Sequence, residues 1–333
     1  MPRAARVLIL LSIFLSAFIG NGMAAAARPI PQTFRGHTNS VMALAFSSNG
    51  RVFASGSLDS TIKVWDLSTG KCLHTLSAGY QAPVDAVAFS SDGRVLASGS
   101  EKNTIKLWDV NSGHCLQTLS GHTNSVLTLA FSSDGRTLAS GSGDGSTKVW
   151  DLASGRCLQT LTGHEAATGV CAVAFNKDCS QLTTAASSGS VKVWTVSSGQ
   201  CLRTLCAPSN DLYPVFAVAF SDDRRIMVSG RHDKSIKVMD AASAKLLHTL
   251  RGHTDAVCAV AFSHDAHLLA SGSWDNTIRI WNVASGKLLR TLRGHTGYVY
   301  AVAFSRDDQL LASGSLDKTI RIWKMNKDTL KAP

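Results

Sequence analysis

The chain repeats itself. A tryptophan or its stand-in recurs at Trp65, Trp108, Trp150, Trp194, Met239, Trp281 and Trp323, at intervals of 43, 42, 44, 45, 42 and 42 residues. Each is approached by a stretch like Ala54-Ser55-Gly56-Ser57-Leu58-Asp59-Ser60-Thr61-Ile62-Lys63-Val64-Trp65. A unit of this length cannot bury its own apolar faces, so the seven must stack into a larger body. A body of that size holds a large core without disulfide staples. The repeats predict one domain over residues 28–333, with no room for a second.

One unit can be read in full. Val41 to Phe46 is a short continuous apolar run, the pattern of a strand buried on both faces. Ser48-Asn49-Gly50 is a hairpin turn, matched by Ser91-Asp92-Gly93 and Ser133-Asp134-Gly135. Val52 to Ser57 reads as the second strand, Thr61 to Trp65 as a β-branched and aromatic third, and Cys72 to Leu76 as the fourth. Four short strands with tight turns make a meander, and seven meanders in a ring bury both faces of every sheet.

Gly-His pairs stand at Gly36-His37, Gly121-His122, Gly163-His164, Gly252-His253 and Gly294-His295, and Trp-Asp pairs at Trp65-Asp66, Trp108-Asp109 and Trp150-Asp151. Over residues 30–323 the chain resembles the WD-repeat (WD40) β-propeller family. The resemblance implies an all-β, seven-bladed propeller of four-stranded antiparallel blades. After Trp323 the chain lacks the Gly-Lys-X-Leu-X-Thr-Leu strand that follows earlier units. Its counterpart comes first, where Thr33-Phe34-Arg35-Gly36-His37 matches Thr249-Leu250-Arg251-Gly252-His253. The N-terminal segment is therefore expected to close the last blade, as is usual in this family.

His, Ser and Asp recur with Trp in four complete sets: His37, Ser55, Asp59, Trp65; His122, Ser140, Asp144, Trp150; His253, Ser271, Asp275, Trp281; and His295, Ser313, Asp317, Trp323. A hydrolase needs one activated nucleophile beside one oxyanion hole, not four copies around a ring. The resemblance implies a structural hydrogen-bond chain locking each blade. Unit two departs with Gly79-Tyr80 and Lys102. Unit four has Ser188 for Asp but keeps His164 and Thr184. Unit five has Ala207-Pro208 and Met239 but keeps Ser229 and Asp233. These three are expected to be the less rigid blades.

Other chemistry is weakly signalled. Gly141-Ser142-Gly143-Asp144-Gly145 resembles a phosphate loop in composition but lacks a following helix. His264 and His267 flank a hairpin turn without cysteine neighbours, so neither a metal site nor a cofactor is expected. Cys72, Cys115, Cys157 and Cys201 share a slot with Leu246 and Leu288, which reads as apolar. Cys171 and Cys258 share another register, Cys179 and Cys206 stand alone, and no CxxC spacing or disulfide framework appears.

The net charge of +10 spreads around the ring, because the position two before each Trp is basic: Lys63, Lys106, Lys148, Lys192, Lys237, Arg279 and Arg321. Nucleic-acid binders cluster charge on one face, so no nucleic-acid partner is expected. These stems are expected to pack along strands with their charges in water.

Residues 1–27 carry no repeat. Arg3 and Arg6, the apolar run Val7 to Ile19 and the small residues Ala24 to Ala27 predict a secretory signal peptide, and hence an extracytoplasmic protein. The alternative is a membrane anchor over residues 7–27, which is long enough to span a bilayer although Gly20, Asn21 and Gly22 weaken it. A mitochondrial presequence, free of Asp and Glu but poor in Arg, is a lesser rival. The lack of N-glycosylation sequons and of a disulfide framework gives export no support.

A partner is expected on the Gly-His side, where the connections into units two, four and five are longest. The resemblance implies three contact positions per blade: the two residues flanking the first-strand Val and the one before the turn Asp. These give Met42, Leu58, Leu127, Phe216, His232, Trp274, Tyr298, Tyr300 and Leu316, with Asp85 and Glu101 as an acidic spot in unit two. The expected function is a non-catalytic scaffold binding a peptide or protein there. Family members that read an arginine-bearing peptide place aromatics around the channel, and Leu127 departs from that. The alternative is an exported propeller that binds a small ligand, or catalyses, in its central channel.

Overall fold

The computed structural model describes residues 33–77, 82–165, 168–206, 215–221, 225–243 and 245–325. The leader, with its signal-peptide and anchor readings, lies outside them, as do Gly79, Tyr80, Ala207 and Pro208. The described residues form seven four-stranded antiparallel sheets, the blades of a β-propeller. In the first, Val41–Phe46 pairs with Val52–Ser57, then Thr61–Asp66, then Cys72–Ser77. Each inner strand packs on the next, and Val299–Phe304 of blade seven packs on Val41–Phe46 of blade one.

The core lies between blades. Ile62, Val64 and Leu76 of blade one pack with Val84, Leu96 and Trp108 of blade two. Glycine in the second strand lets the blades approach: a Cβ on Gly56 would stand 2.6 Å from Val84 Cγ1 and 3.1 Å from Val84 O. Gly99, Gly141, Gly230, Gly272 and Gly314 sit equally close to the next valine. Blade four has Ala185 there, and the inner strands of blades four and five pack less closely than any other neighbouring pair. Among the described side chains that seam holds Ala172, Ala185, Val191, Met227 and Met239, with Val218 and Phe220 packed against them.

Two bulges recur. Val41 opposes Ser57 and Ala43 opposes Gly56, which leaves Met42 outside the ladder. The same shift frees Asp85, Leu127, Cys171, Phe216, Cys258 and Tyr300. On the outer side, Trp65 opposes Cys72 and Val64 opposes His74, so Leu73 is extra. Leu116, Leu158, Leu202 and Leu247 are its equivalents, and all five leucines are exposed. The cysteine slot is therefore not a core slot. Cys72, Cys115, Cys157 and Cys201 are exposed free thiols. The outer strand has no sheet beyond it, and its Leu76-type side chain reaches the core, joined in blade six by the half-buried Leu289.

Closure follows the expected register. Thr33 opposes Arg321 and Phe34 opposes Ile320, so the first strand is the outer strand of blade seven. The Phe34 ring meets Phe53 edge-on at 4.9 Å and Trp65 at 5.6 Å, which ties blade seven to blade one. Burying an aromatic ring at such a junction leaves a large cavity when it is removed. Phe34→Ala is expected to lose about 3–5 kcal/mol of unfolding free energy in a denaturant titration. A midpoint equal to that of the parent chain would contradict the closure role.

Candidate functional site

The His-Ser-Asp-Trp sets lie inside the blades. In blade one, Trp65 Nε1 donates to Ser55 Oγ at 2.8 Å. Ser55 Oγ lies 2.7 Å from His37 Nε2, and His37 Nδ1 lies 2.9 Å from Asp59 Oδ2. An indole N–H only donates. Ser55 therefore accepts it and gives its own proton to Nε2, which places the imidazole proton on Nδ1, aimed at Asp59. The same chain links His122, Ser140, Asp144 and Trp150. It recurs with His253, Ser271, Asp275 and Trp281, and with His295, Ser313, Asp317 and Trp323. Ser55 is 0% exposed, so no substrate reaches its hydroxyl.

The electrostatics fit a neutral imidazole held by an ionised carboxylate. Burial opposes ionisation of Asp59, but hydrogen bonds from the Thr61 hydroxyl, the Thr38 N–H and His37 outweigh it and hold the carboxyl at about 2. Asp317 is held at about 2 in the same way, and Asp144 and Asp275 are also lowered. Burial lowers His37, His122 and His295, more than their carboxylates raise them.

Blade four keeps part of the network. It has no turn carboxylate, and His164 Nδ1 instead lies 3.0 Å from Ser190 Oγ, at the position of Thr61, while Thr184 Oγ1 lies 2.7 Å from Nε2. Trp194 donates to Thr184 at 2.8 Å, so a chain of hydrogen bonds persists there. Burial, then Lys192, lowers His164 to about 4 with no carboxylate to compensate. Blade two keeps only the Trp108-to-Ser98 bond among its described residues. In blade five Met239 replaces the indole, and Ser229 Oγ, 3% exposed, has no partner.

The other candidates are placed as follows. Asp144 in the glycine-rich stretch is tied to His122, in a turn between strands. His267 is exposed beside Asp265, and no group of three metal-ligating side chains occurs among the described residues. Cys171 and Cys258 are half-buried, and desolvation pushes their thiols up to about 12. Lys63, Lys148 and Lys192 each donate from Nζ to an outer-strand threonine hydroxyl, one per blade.

The channel mouth on the Gly-His side brings the partner candidates together. The inner bulge takes its residue out of the ladder and re-aims it. Phe216 lies 5.4 Å from Trp274, and His232 touches both rings. Trp274 stacks on Tyr298 at 5.4 Å and 21°, and Tyr300 meets Tyr298 edge-on at 6.2 Å. Five rings from blades five, six and seven thus form one row. Phe216 and Tyr298 are 37% exposed and Leu316 is 41% exposed. Met42 and Leu58 continue it half-buried on blade one, and Asp85 and Glu101 follow on blade two. Burial, then the Glu101 charge, push the Asp85 carboxyl up to about 6. Leu127 is half-buried in blade three, apart from the ring row. Sequence reading missed the bulge that makes these positions a set. Its one trace is a constant valine followed by a variable residue.

Two outcomes follow. Ser55→Ala strands an indole N–H and an imidazole nitrogen and is expected to cost about 2 kcal/mol or more. Ser229→Ala removes an orphan and is expected to be neutral or stabilising by about 1 kcal/mol. Equal losses in urea unfolding would refute the assignment. For pH, the unfolded chain protonates histidine near 6.5, whereas folded His164 waits until about 4. The folded chain therefore loses stability as pH falls through that window, and the lowered carboxylates add a loss from about 3.8 down to about 2. Melting temperature is expected to decline from pH 6.5 to 4, less steeply in His164→Gln; a flat profile in both chains would exclude the linkage.

Comparison with known proteins agrees with this geometry. The family model "WD domain, G-beta repeat" matches seven times, at residues 29–66, 70–109, 113–151, 155–195, 199–240, 244–282 and 286–324. The chain is 58% identical over 43 residues to the probable E3 ubiquitin ligase complex SCF subunit sconB of Arthroderma benhamiae, covering 13% of this chain and 6% of that protein. It is 52% identical over 46 residues to the protein of that name from Talaromyces marneffei, covering 14% and 7%. For that of Aspergillus oryzae the figures are 53% over 45 residues, covering 14% and 6%. The match thus spans a small fraction of those proteins' length, about one repeat. With seven matched repeats closing seven blades, the chain belongs to the WD-repeat family.

Proposed function

We propose that this propeller is a non-catalytic interaction scaffold that takes a peptide or protein on its Gly-His face. The single observation that carries this reading is the aromatic row of Phe216, His232, Trp274, Tyr298 and Tyr300 at the channel mouth. Rings that pack on one another present a rigid face and lose little entropy on binding. Aromatic side chains of this kind dominate the energetics of protein contacts. The four Ser-His-Asp sets supply no competing chemistry, since each serine is spent on an indole and an imidazole inside a blade. The fungal relatives, named as subunits of a ligase complex, are consistent with a binding role, although the likeness is one repeat long.

The test is a library of random short peptides displayed on phage and panned on the full chain. Binders are expected, and the Trp274→Ala, Tyr300→Ala double variant should lose at least about tenfold in affinity for them while melting like the parent. A folded double variant that keeps every binder would remove the aromatic row from the binding face.

A further inference from the structure

We infer that the partner segment is cationic: it lays apolar side chains along the aromatic row and places a lysine or arginine against Asp85 and Glu101. This rests on the proposed use of the Gly-His face and specifies the chemistry of its occupant.

The seven blades serve as seven samples of one structural requirement. The valine before the inner bulge is the same in every blade: Val41, Val84, Val126, Val170, Val215, Val257 and Val299. The bulged residue after it is Met42, Asp85, Leu127, Cys171, Phe216, Cys258 or Tyr300. The residue before the turn Asp position varies as widely: Leu58, Glu101, Gly143, Ser187, His232, Trp274 and Leu316. The fold accepts any of these, so the identities at the mouth are set by something other than the fold.

The charge among them has one sign and one place. In a chain of net charge +10, the only Asp, Glu, Lys or Arg side chains at these bulge and turn positions are Asp85 and Glu101, both on blade two. Lys102 follows Glu101, but neither carboxylate is in an ion pair or accepts a hydrogen bond among the described residues. Arg231, beside His232 on blade five, is 2% exposed and does not face solvent. The turn carboxylates of the other blades are consumed by threonine, serine and histidine donors. Asp85 differs: it is half-buried, raised by burial and by Glu101, and no described residue pairs with it. A carboxylate pair in that state favours an incoming cation, since an opposite charge recovers what burial and like-charge repulsion cost.

The pair also lies where the row ends. Inner strands of blades seven, one and two are consecutive neighbours, so Tyr300, Met42 and Asp85 occupy one bulge position on adjacent strands. Leu316, Leu58 and Glu101 repeat the order at the turn position. The arc therefore runs from rings through aliphatic side chains to carboxylates. A segment with bulky apolar residues and a basic residue to one side matches it. An acidic or phosphorylated segment would meet two carboxylates and repulsion.

The experiment uses the full chain and the peptides recovered by panning, synthesised with fluorescein and measured by anisotropy. Recovered sequences are expected to carry Lys or Arg beside bulky apolar residues. Asp85→Asn with Glu101→Gln should weaken them about tenfold, and replacing the peptide's basic residue by norleucine should cost the same. Combining both changes should cost no more than either alone, the signature of a direct pair. Glu101→Gln alone, at an exposed turn, guards against a folding defect in the double variant. Peptides rich in Asp or Glu, or peptides that lose affinity in Trp274→Ala, Tyr300→Ala but not in the carboxylate variant, would overturn the cationic assignment and leave the binding face standing. Peptides indifferent to both variants, or no binders at all, would overturn the binding face and the assignment with it.

Discussion

Everything at the channel mouth depends on how closely one blade approaches the next. The second strand of a blade carries a glycine because the next blade's valine occupies the space of its Cβ, 2.6 Å from Val84 Cγ1 at Gly56. That contact is the seam of the ring. The ladder shifts by one residue beside it, since the valine and the alanine two places on pair with consecutive second-strand residues. The residue between them leaves the ladder. Seam, bulge and mouth are thus one device repeated seven times. Blade four shows the dependence by departing from it. Ala185 supplies the missing Cβ, and its seam with blade five is the loosest, with alanine, valine and methionine buried in it.

The hydrogen-bond chain does a different job. It connects the Gly-His turn, the second strand and the indole of the third, so that a blade cannot shear without breaking several buried bonds at once. Each is worth about 1 kcal/mol net, but stranding a buried donor costs more than the bond supplied. This explains why substitutions in the set come in groups. Blade five has lost its indole, and its serine hydroxyl stands alone. Blade four lacks the carboxylate, and its imidazole closes instead on Ser190, the hydroxyl that stands beside the same nitrogen as Thr61 in blade one. The cost is a histidine with no carboxylate to stabilise its cation.

Most of the fold was legible because its signals are periodic. The Trp spacing, the Gly turns and the match between Thr33–His37 and Thr249–His253 announce blade number, strand order and closure. What was not legible depends on register. A run such as Val41–Phe46 looks uniformly apolar, and nothing in it marks Met42 as unpaired. The outer strand misleads for the same reason. Leu and Cys exchange at Cys72 and Leu246, which suggests a core slot, but the strand ends the sheet and the slot faces out. The hydroxyl two after the turn residue, Thr61 in blade one and Ser190 in blade four, was not read as part of the set because its contact with the imidazole depends on how the turn folds back.

A repeat protein also carries its own control for function. Where seven copies must satisfy one packing requirement, the residues that satisfy it converge, as the seven valines do. Where the copies diverge without damage to the ladder, the requirement lies outside the fold. The mouth positions diverge in an ordered way: rings on blades five to seven, aliphatic side chains on blade one, carboxylates on blade two. Most of these positions are half-buried, where an unpaired charge is costly, and none holds lysine or arginine. Asp85 and Glu101, without an ion pair among the described residues, are the exception to that rule, and on the proposed reading they are what the occupant's charge meets.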